Sequence, residues 1–150
     1  MGDLLTDRAL NACRIANQEA HDWGHDWIEP EHLMLGLIKE GSIAKLMLNQ
    51  ICDKADQLQA AIEMTMTRGP HVGAKGKLPL TPNAKRAVEL ALTERHRFNH
   101  KLVGTEHLLL GLLMLPDSRL AGAFKSLDVD LEQIRRRMLT IMAVIAERSL

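Results

Sequence analysis

Apolar residues recur three and four positions apart along the chain and do not alternate. Ala9, Ala12, Cys13 and Ala16 make one such face, and Ala84, Ala87, Val88 and Ala91 another. That is the period of an amphipathic helix, not of a half-buried strand. Both faces are built of small residues, so each helix can pack closely on a neighbour. Two short stretches, Leu33–Ile38 and Leu108–Leu113, are apolar almost all round and are expected to be buried centrally. Third helices are expected over residues 43–50 and 118–126, and fourth helices from near Lys54 and near Asp130. The last carries a stripe of Leu131, Ile134, Met138, Ile141 and Ile145. Thr81-Pro82 reads as an N-cap followed by proline at the first helical position, with Thr6 opening the first helix the same way. Pro30 opens one central helix, and Thr105 is expected to cap the other. The fold class is all-α.

The pattern is a duplication. Shifting the chain by 75 residues places Leu5 on Leu80, Thr6 on Thr81, Glu19 on Glu94, and His21 and His25 on His96 and His100. It also superposes Glu31-His32-Leu33 on Glu106-His107-Leu108, and Leu35-Gly36-Leu37 on Leu110-Gly111-Leu112. Residues 5–38 share 14 of 34 positions with their shifted counterparts, where chance gives about two. Beyond that the register slips by one. The expected organisation is one domain with a first repeat of residues 5–67, a linker of 68–79 and a second repeat of 80–150. Three Gly and two Pro between Arg68 and Pro79 mark the linker.

Composition narrows the function. The 150 residues are 46% apolar, and 19 Lys and Arg balance 19 Asp and Glu. A nucleic-acid-binding chain draws most of its affinity from excess positive charge, so that class is disfavoured. Only 3% of residues are aromatic and Tyr is absent, so Leu, Ala, Met and Ile fill the core. No run approaches the ~18 apolar residues of a membrane span, and the start lacks the basic-then-apolar order of a signal peptide. Cys13 and Cys52 have no regular spacing, which points to a reducing compartment, the cytoplasm. The Gly and Lys residues of the linker do not form a phosphate-binding P-loop.

Leu5-Thr6-Asp7-Arg8-Ala9, Gly24-His25, and the run from Glu31 through Gly36-Leu37 to Gly41 resemble the Clp N-terminal repeat. Leu78-Pro79-Leu80-Thr81-Pro82 and Thr105-Glu106-His107 through Gly111-Leu112 match it a second time. The resemblance covers nearly the whole chain and is to the amino-terminal domains of ClpA- and ClpC-type unfoldases. It implies an eight-helix domain of two pseudo-symmetric four-helix repeats, with no catalytic activity and no cofactor. It implies a receptor for substrate proteins and adaptor proteins that serves an AAA+ ring and its protease. In ClpC-type members it implies binding of phosphoarginine-marked proteins, and in some members of cyclic peptide antibiotics. A stand-alone relative that sequesters such ligands as a decoy is the alternative.

Phosphoarginine joins a planar guanidinium to a dianionic phosphate. A carboxylate suits the first through paired charged hydrogen bonds, and a helix start with a hydroxyl suits the second. Through the family motif the carboxylates are Glu31 and Glu106 and the hydroxyls Thr6 and Thr81. Arg8 and Lys85 lie in the same first turns. Which Thr serves which Glu is open at this level. Leu5, Leu80 and Glu89 are the expected hydrophobic ligand groove, with Leu where the family usually carries a Phe that stacks on ligands. Glu29-Pro30-Glu31 departs from the usual Gly-Thr-Glu by adding a charge and removing an N–H, whereas Gly104-Thr105-Glu106 keeps it. On that ground the site around Thr81 and Glu106 ranks first.

Seven histidines raise the question of a metal. His21 and His25, like His96 and His100, are four apart and would share a helix face, a zinc spacing. With no third ligand evident, these histidines are expected to satisfy buried polar contacts. Glu31-His32 and Glu106-His107 are not acid–base dyads, because neighbours on a helix point about 100° apart.

Overall fold

The computed structural model describes residues 2–71, 75–115 and 119–148. A 3₁₀ turn, Gly2–Leu4, precedes α1 (Asp7–Asp22), α2 (Pro30–Glu40), α3 (Ile43–Cys52) and α4 (Ala55–Thr65). The second repeat supplies α5 (Pro82–Arg97), α6 (Thr105–Leu113), α7 (Arg119–Ser126) and α8 (Leu131–Arg148). The fold is all-α, two four-helix repeats in one domain. Among the described residues no helix is long and apolar enough to cross a membrane.

The small-residue faces explain the tightest packing. A Cβ added to Gly36 would lie 2.2 Å from the Ala12 carbonyl oxygen, and one added to Gly111 would lie 2.2 Å from that of Ala87. Each α2-type helix therefore sits backbone to backbone on its α1-type partner, possible only with Gly on one side and Ala on the other. The apolar stretches of α2 and α6 are buried on nearly every side, and one continuous core spans both repeats. On α8, Ile134, Met138 and Met142 are buried while Ile141 is only partly so. The side chain of Ile145 and residue 118 of the expected α7 lie outside the described residues.

Both α1 and α5 end before the second histidine of each pair. Gly24 (φ +74°) and Asn99 (φ +57°) turn the chain after the helix. His21 and His25 therefore do not share a helix face, and neither do His96 and His100. The capping expectation for Thr105 also changes. Gly104 is the N-cap of α6, and the Thr105 hydroxyl accepts from the Ala44 N–H at 3.2 Å. It thus closes the start of α3 in the other repeat. Two further ties cross the repeats at the far end: Lys54 Nζ donates to Leu127 O at 2.8 Å and Arg137 to Ile51 O at 2.9 Å.

The linker is sewn to α1. Asn17 donates to Gly76 O at 3.0 Å and accepts from Leu78 N at 2.8 Å. His21 donates to Gly76 O at 2.6 Å, and Gly69 N donates to Trp23 O at 2.7 Å.

Candidate functional site

Each N-cap threonine does what its position requires. Thr6 Oγ1 accepts from Ala9 N at 3.1 Å, and Thr81 Oγ1 accepts from Ala84 N at 3.2 Å. Their backbones show which segment each threonine lies against. Leu5 forms a parallel bridge with Val103, and Thr6 N donates to Val103 O at 2.9 Å. Leu80 bridges Ile28, and Thr81 N donates to Ile28 O at 3.0 Å. The backbone bridges set Thr6 against the segment that leads to Glu106 and Thr81 against the segment that leads to Glu31, so each threonine lies alongside the other repeat and not its own.

The two junctions differ in charge and access. Glu106 sits in the first turn of α6 with its side chain 18% exposed. Its carboxylate curls back over Gly104, where an added Cβ would lie 1.9 Å from Oε1. Burial raises its pKa, while its own backbone N–H pulls the other way. Arg8, in the first turn of α1, extends into solvent and reaches Glu40 at 3.5 Å. Glu31, by contrast, is buried. Burial and a carboxyl–carboxyl contact with Glu29 raise its pKa to about 7, against the pull of Arg119. Pro30 and Pro82 remove two N–H donors from that junction, and Lys85 is exposed on α5.

The histidines serve the helix starts. His32 Nδ1 accepts from Glu29 N at 2.8 Å, so its proton sits on Nε2 and points at His25 Nδ1, 2.8 Å away. His25 Nε2 then donates to Thr67 O at 2.7 Å. The second repeat repeats the device: His107 Nδ1 accepts from Gly104 N, and its Nε2 faces His100 Nδ1, both at 2.8 Å. Burial and the neighbouring histidine lower His32 and His107 to about 4. Glu106 Oε1 lies 3.2 Å from His107 Nδ1, but that nitrogen carries no proton, so the contact is not an ion pair. Among the described residues no group of three or more His, Cys, Asp or Glu is arranged to hold a metal ion.

Between α1, α2, α5 and the linker lies a groove of about 420 Å³. Leu5 and Leu80 both line it, with Leu10, Ile28, Leu33 and Val88. Glu89 does not. It is exposed and paired with Arg86 at 3.4 Å, because the next residue on a helix points about 100° away from Val88. Sequence reasoning missed Arg14 and Lys77 at the groove. Only the docking of the linker against α1 brings them there.

A model of the Clp repeat (R) N-terminal domain matches residues 4–125, and again residues 90–149. The chain belongs to this family. It is 33% identical over 150 residues to a ClpA homologue, an ATP-dependent Clp protease ATP-binding subunit, of Guillardia theta. That match takes in 99% of this chain and 18% of the relative. The negative regulator of genetic competence ClpC/MecB of Bacillus subtilis is 33% identical over 139 residues, 92% of this chain and 17% of that protein. The chain thus spans less than a fifth of the length of these curated relatives. Among solved structures, the N-terminal domain of the chaperone ClpD from Arabidopsis thaliana superposes with a TM-score of 0.74 at 23% identity, covering 94% of this chain and 96% of that one. A ClpV N-domain in complex with a VipB peptide gives 0.71 at 17% identity, covering 94% and 88%. At these identities the structures speak for the fold alone.

Proposed function

We propose that this Clp repeat domain is a non-enzymatic recognition module that captures substrate and adaptor proteins for a Clp unfoldase–protease, and that it reads phosphoarginine at the Thr6–Glu106 junction. The observation that carries this is the cross-repeat bridge of Leu5 with Val103. It brings a helix start suited to phosphate beside the first turn of α6, which holds a partly exposed carboxylate suited to a guanidinium. Arg8, in the first turn of α1, would have to exchange its contact with Glu40 for the phosphate to add positive charge there. The Thr81–Glu31 junction is the weaker of the two, since its carboxylate is buried and held protonated up to about pH 7 by that burial and by the Glu29 carboxylate beside it. A non-enzymatic role fits the histidines beside both glutamates, which are spent on capping. The family relationship supports the receptor role, as does the VipB peptide on the ClpV N-domain. The groove lined by Leu5 and Leu80 supports a second contact, with apolar segments of a bound partner or with a cyclic peptide.

Calorimetric titration tests the junction, using a phosphoarginine peptide and its unphosphorylated twin. Wild type and Glu31→Ala should bind the phosphorylated peptide alone, and Glu106→Ala should lose at least tenfold in affinity. Equal binding of the twins, or no effect of Glu106→Ala, would refute this site.

A further inference from the structure

The floor of the α1–linker groove is apolar, but its mouth is not neutral. Arg14, one turn from Leu10 on α1, and Lys77, on the linker just before Leu78, both line it and both are exposed. Among the described residues neither side chain enters an ion pair or hydrogen bond, although nearby acids do. Glu89 pairs with Arg86, and Asp26 lies 3.3 Å from the His71 ring nitrogen. Among the described residues no Asp or Glu lines the groove. Burial raises the pKa of the Cys13 thiol in the groove wall, and the ammonium of Lys77 partly offsets that rise. Asn17, the other polar lining residue, is committed to Gly76 and Leu78 of the linker. It fixes Lys77 between those two anchored residues.

In a chain of zero net charge, two unpaired cations over an apolar floor set a preference. We infer that the groove selects apolar peptide segments flanked by carboxylates, with Arg14 and Lys77 as the specificity-determining residues. The inference rests on reading the groove as a peptide-binding surface. It is independent of the phosphoarginine junction. The volume of about 420 Å³ is that of a small-ligand pocket. It suits a short run of Leu- or Val-sized side chains, with the flanking carboxylates left at the wet rim. Pairs at such a rim are individually weak, so the effect is one of selection and of ionic-strength dependence.

Cys13 lines this groove, while Cys52 lines a separate cleft at the α3–α8 seam, and both thiols are free and partly exposed. They make a built-in footprint. Three capped peptides with the same Leu/Val centre and Asp, Asn or Lys at both ends would be titrated by fluorescence anisotropy. Maleimide labelling of the two cysteines would be followed by mass spectrometry in parallel. The Asp peptide should bind about fivefold tighter than the Asn peptide and tighter still than the Lys peptide. It should slow labelling of Cys13 and leave Cys52 unchanged. In an Arg14→Gln/Lys77→Gln variant the three affinities should converge on that of the Asn peptide, as they should at high salt. Convergence already in wild type, or a preference that survives in the variant, would overturn the charge selection and leave the groove standing. Binding of none of the three, or protection of Cys52 in place of Cys13, would overturn the groove as well. Neither outcome bears on the phosphoarginine titration.

Discussion

Gly104 and Glu29 hold the same position in the two repeats, and that difference adds to the two prolines in separating the junctions. Glu106 can fold back over Gly104 because no Cβ stands there. At Glu29 a Cβ and a second carboxylate occupy that space, and Glu31 is buried beside them. Gly104 has φ −94°, which alanine adopts without strain. Gly104→Ala should therefore displace the carboxylate of Glu106, not the backbone. The expected result is at least a tenfold loss of phosphoarginine-peptide affinity at a stability cost of about 1 kcal/mol, alanine being a poor N-cap. Calorimetry and urea unfolding check the two halves separately.

The same residues set the response to acid. His32 and His107 titrate at about 4 in the fold against an ordinary 6.5. The unfolded chain therefore binds more protons between those values, and stability rises with pH across that window. Glu31 titrates at about 7 against an ordinary 4.5. Here the folded chain holds the proton, so its contribution is present at low pH and is lost as pH rises from 4.5 to 7. Glu106, also raised, acts in the same sense as Glu31. The histidines and glutamates oppose each other, and wild type should show a shallow rise in Tm from pH 4 to 6.5. Glu31→Gln removes the larger opposing contribution and should steepen that rise. Thermal melts across the window check it, and an unchanged or flatter profile in the variant would contradict the assignment.

At the level of helices, much was legible because local composition and packing agree. The Ala-rich faces of α1 and α5 and the Leu-Gly-Leu of α2 and α6 could be read as close-packing partners, and Gly36 and Gly111 do meet Ala12 and Ala87. What could not be read depends on residues distant in sequence. Thr105 looks like a cap from its own neighbourhood, yet its hydroxyl serves Ala44, 61 residues away. The placement of each threonine alongside the other repeat and the cations at the groove escape local reading for the same reason. The glycines offer a clean contrast. Gly111→Ala drives a Cβ into a backbone carbonyl and should destabilise by about 1–3 kcal/mol or more. Gly122, inside α7, has open space around an added Cβ, so Gly122→Ala should stabilise by about 0.5–1 kcal/mol. Chemical denaturation of both variants should return opposite signs.

For the molecule as a whole, the two repeats are interlocked, not just tethered by a linker. Each first-helix start is bridged to the other repeat, α3 is capped by Thr105, and α2 and α6 share one core. A duplicated sequence suggests two independent units, but the separate half would lose its bridged partner segment, a cap and one wall of its core. Folding should therefore be a single cooperative transition. Both tryptophans, Trp23 and Trp27, lie in the first repeat, so their fluorescence reports that half while far-UV circular dichroism reports all eight helices. The two probes should give coincident urea transitions. More pointedly, Gly111→Ala, wholly within the second repeat, should lower the tryptophan-detected midpoint about as far as Gly36→Ala does in the first. If Gly111→Ala shifted the circular dichroism transition and left the fluorescence transition in place, the halves would be unfolding separately. Sites built across their boundary would then have no rigid frame to hold them.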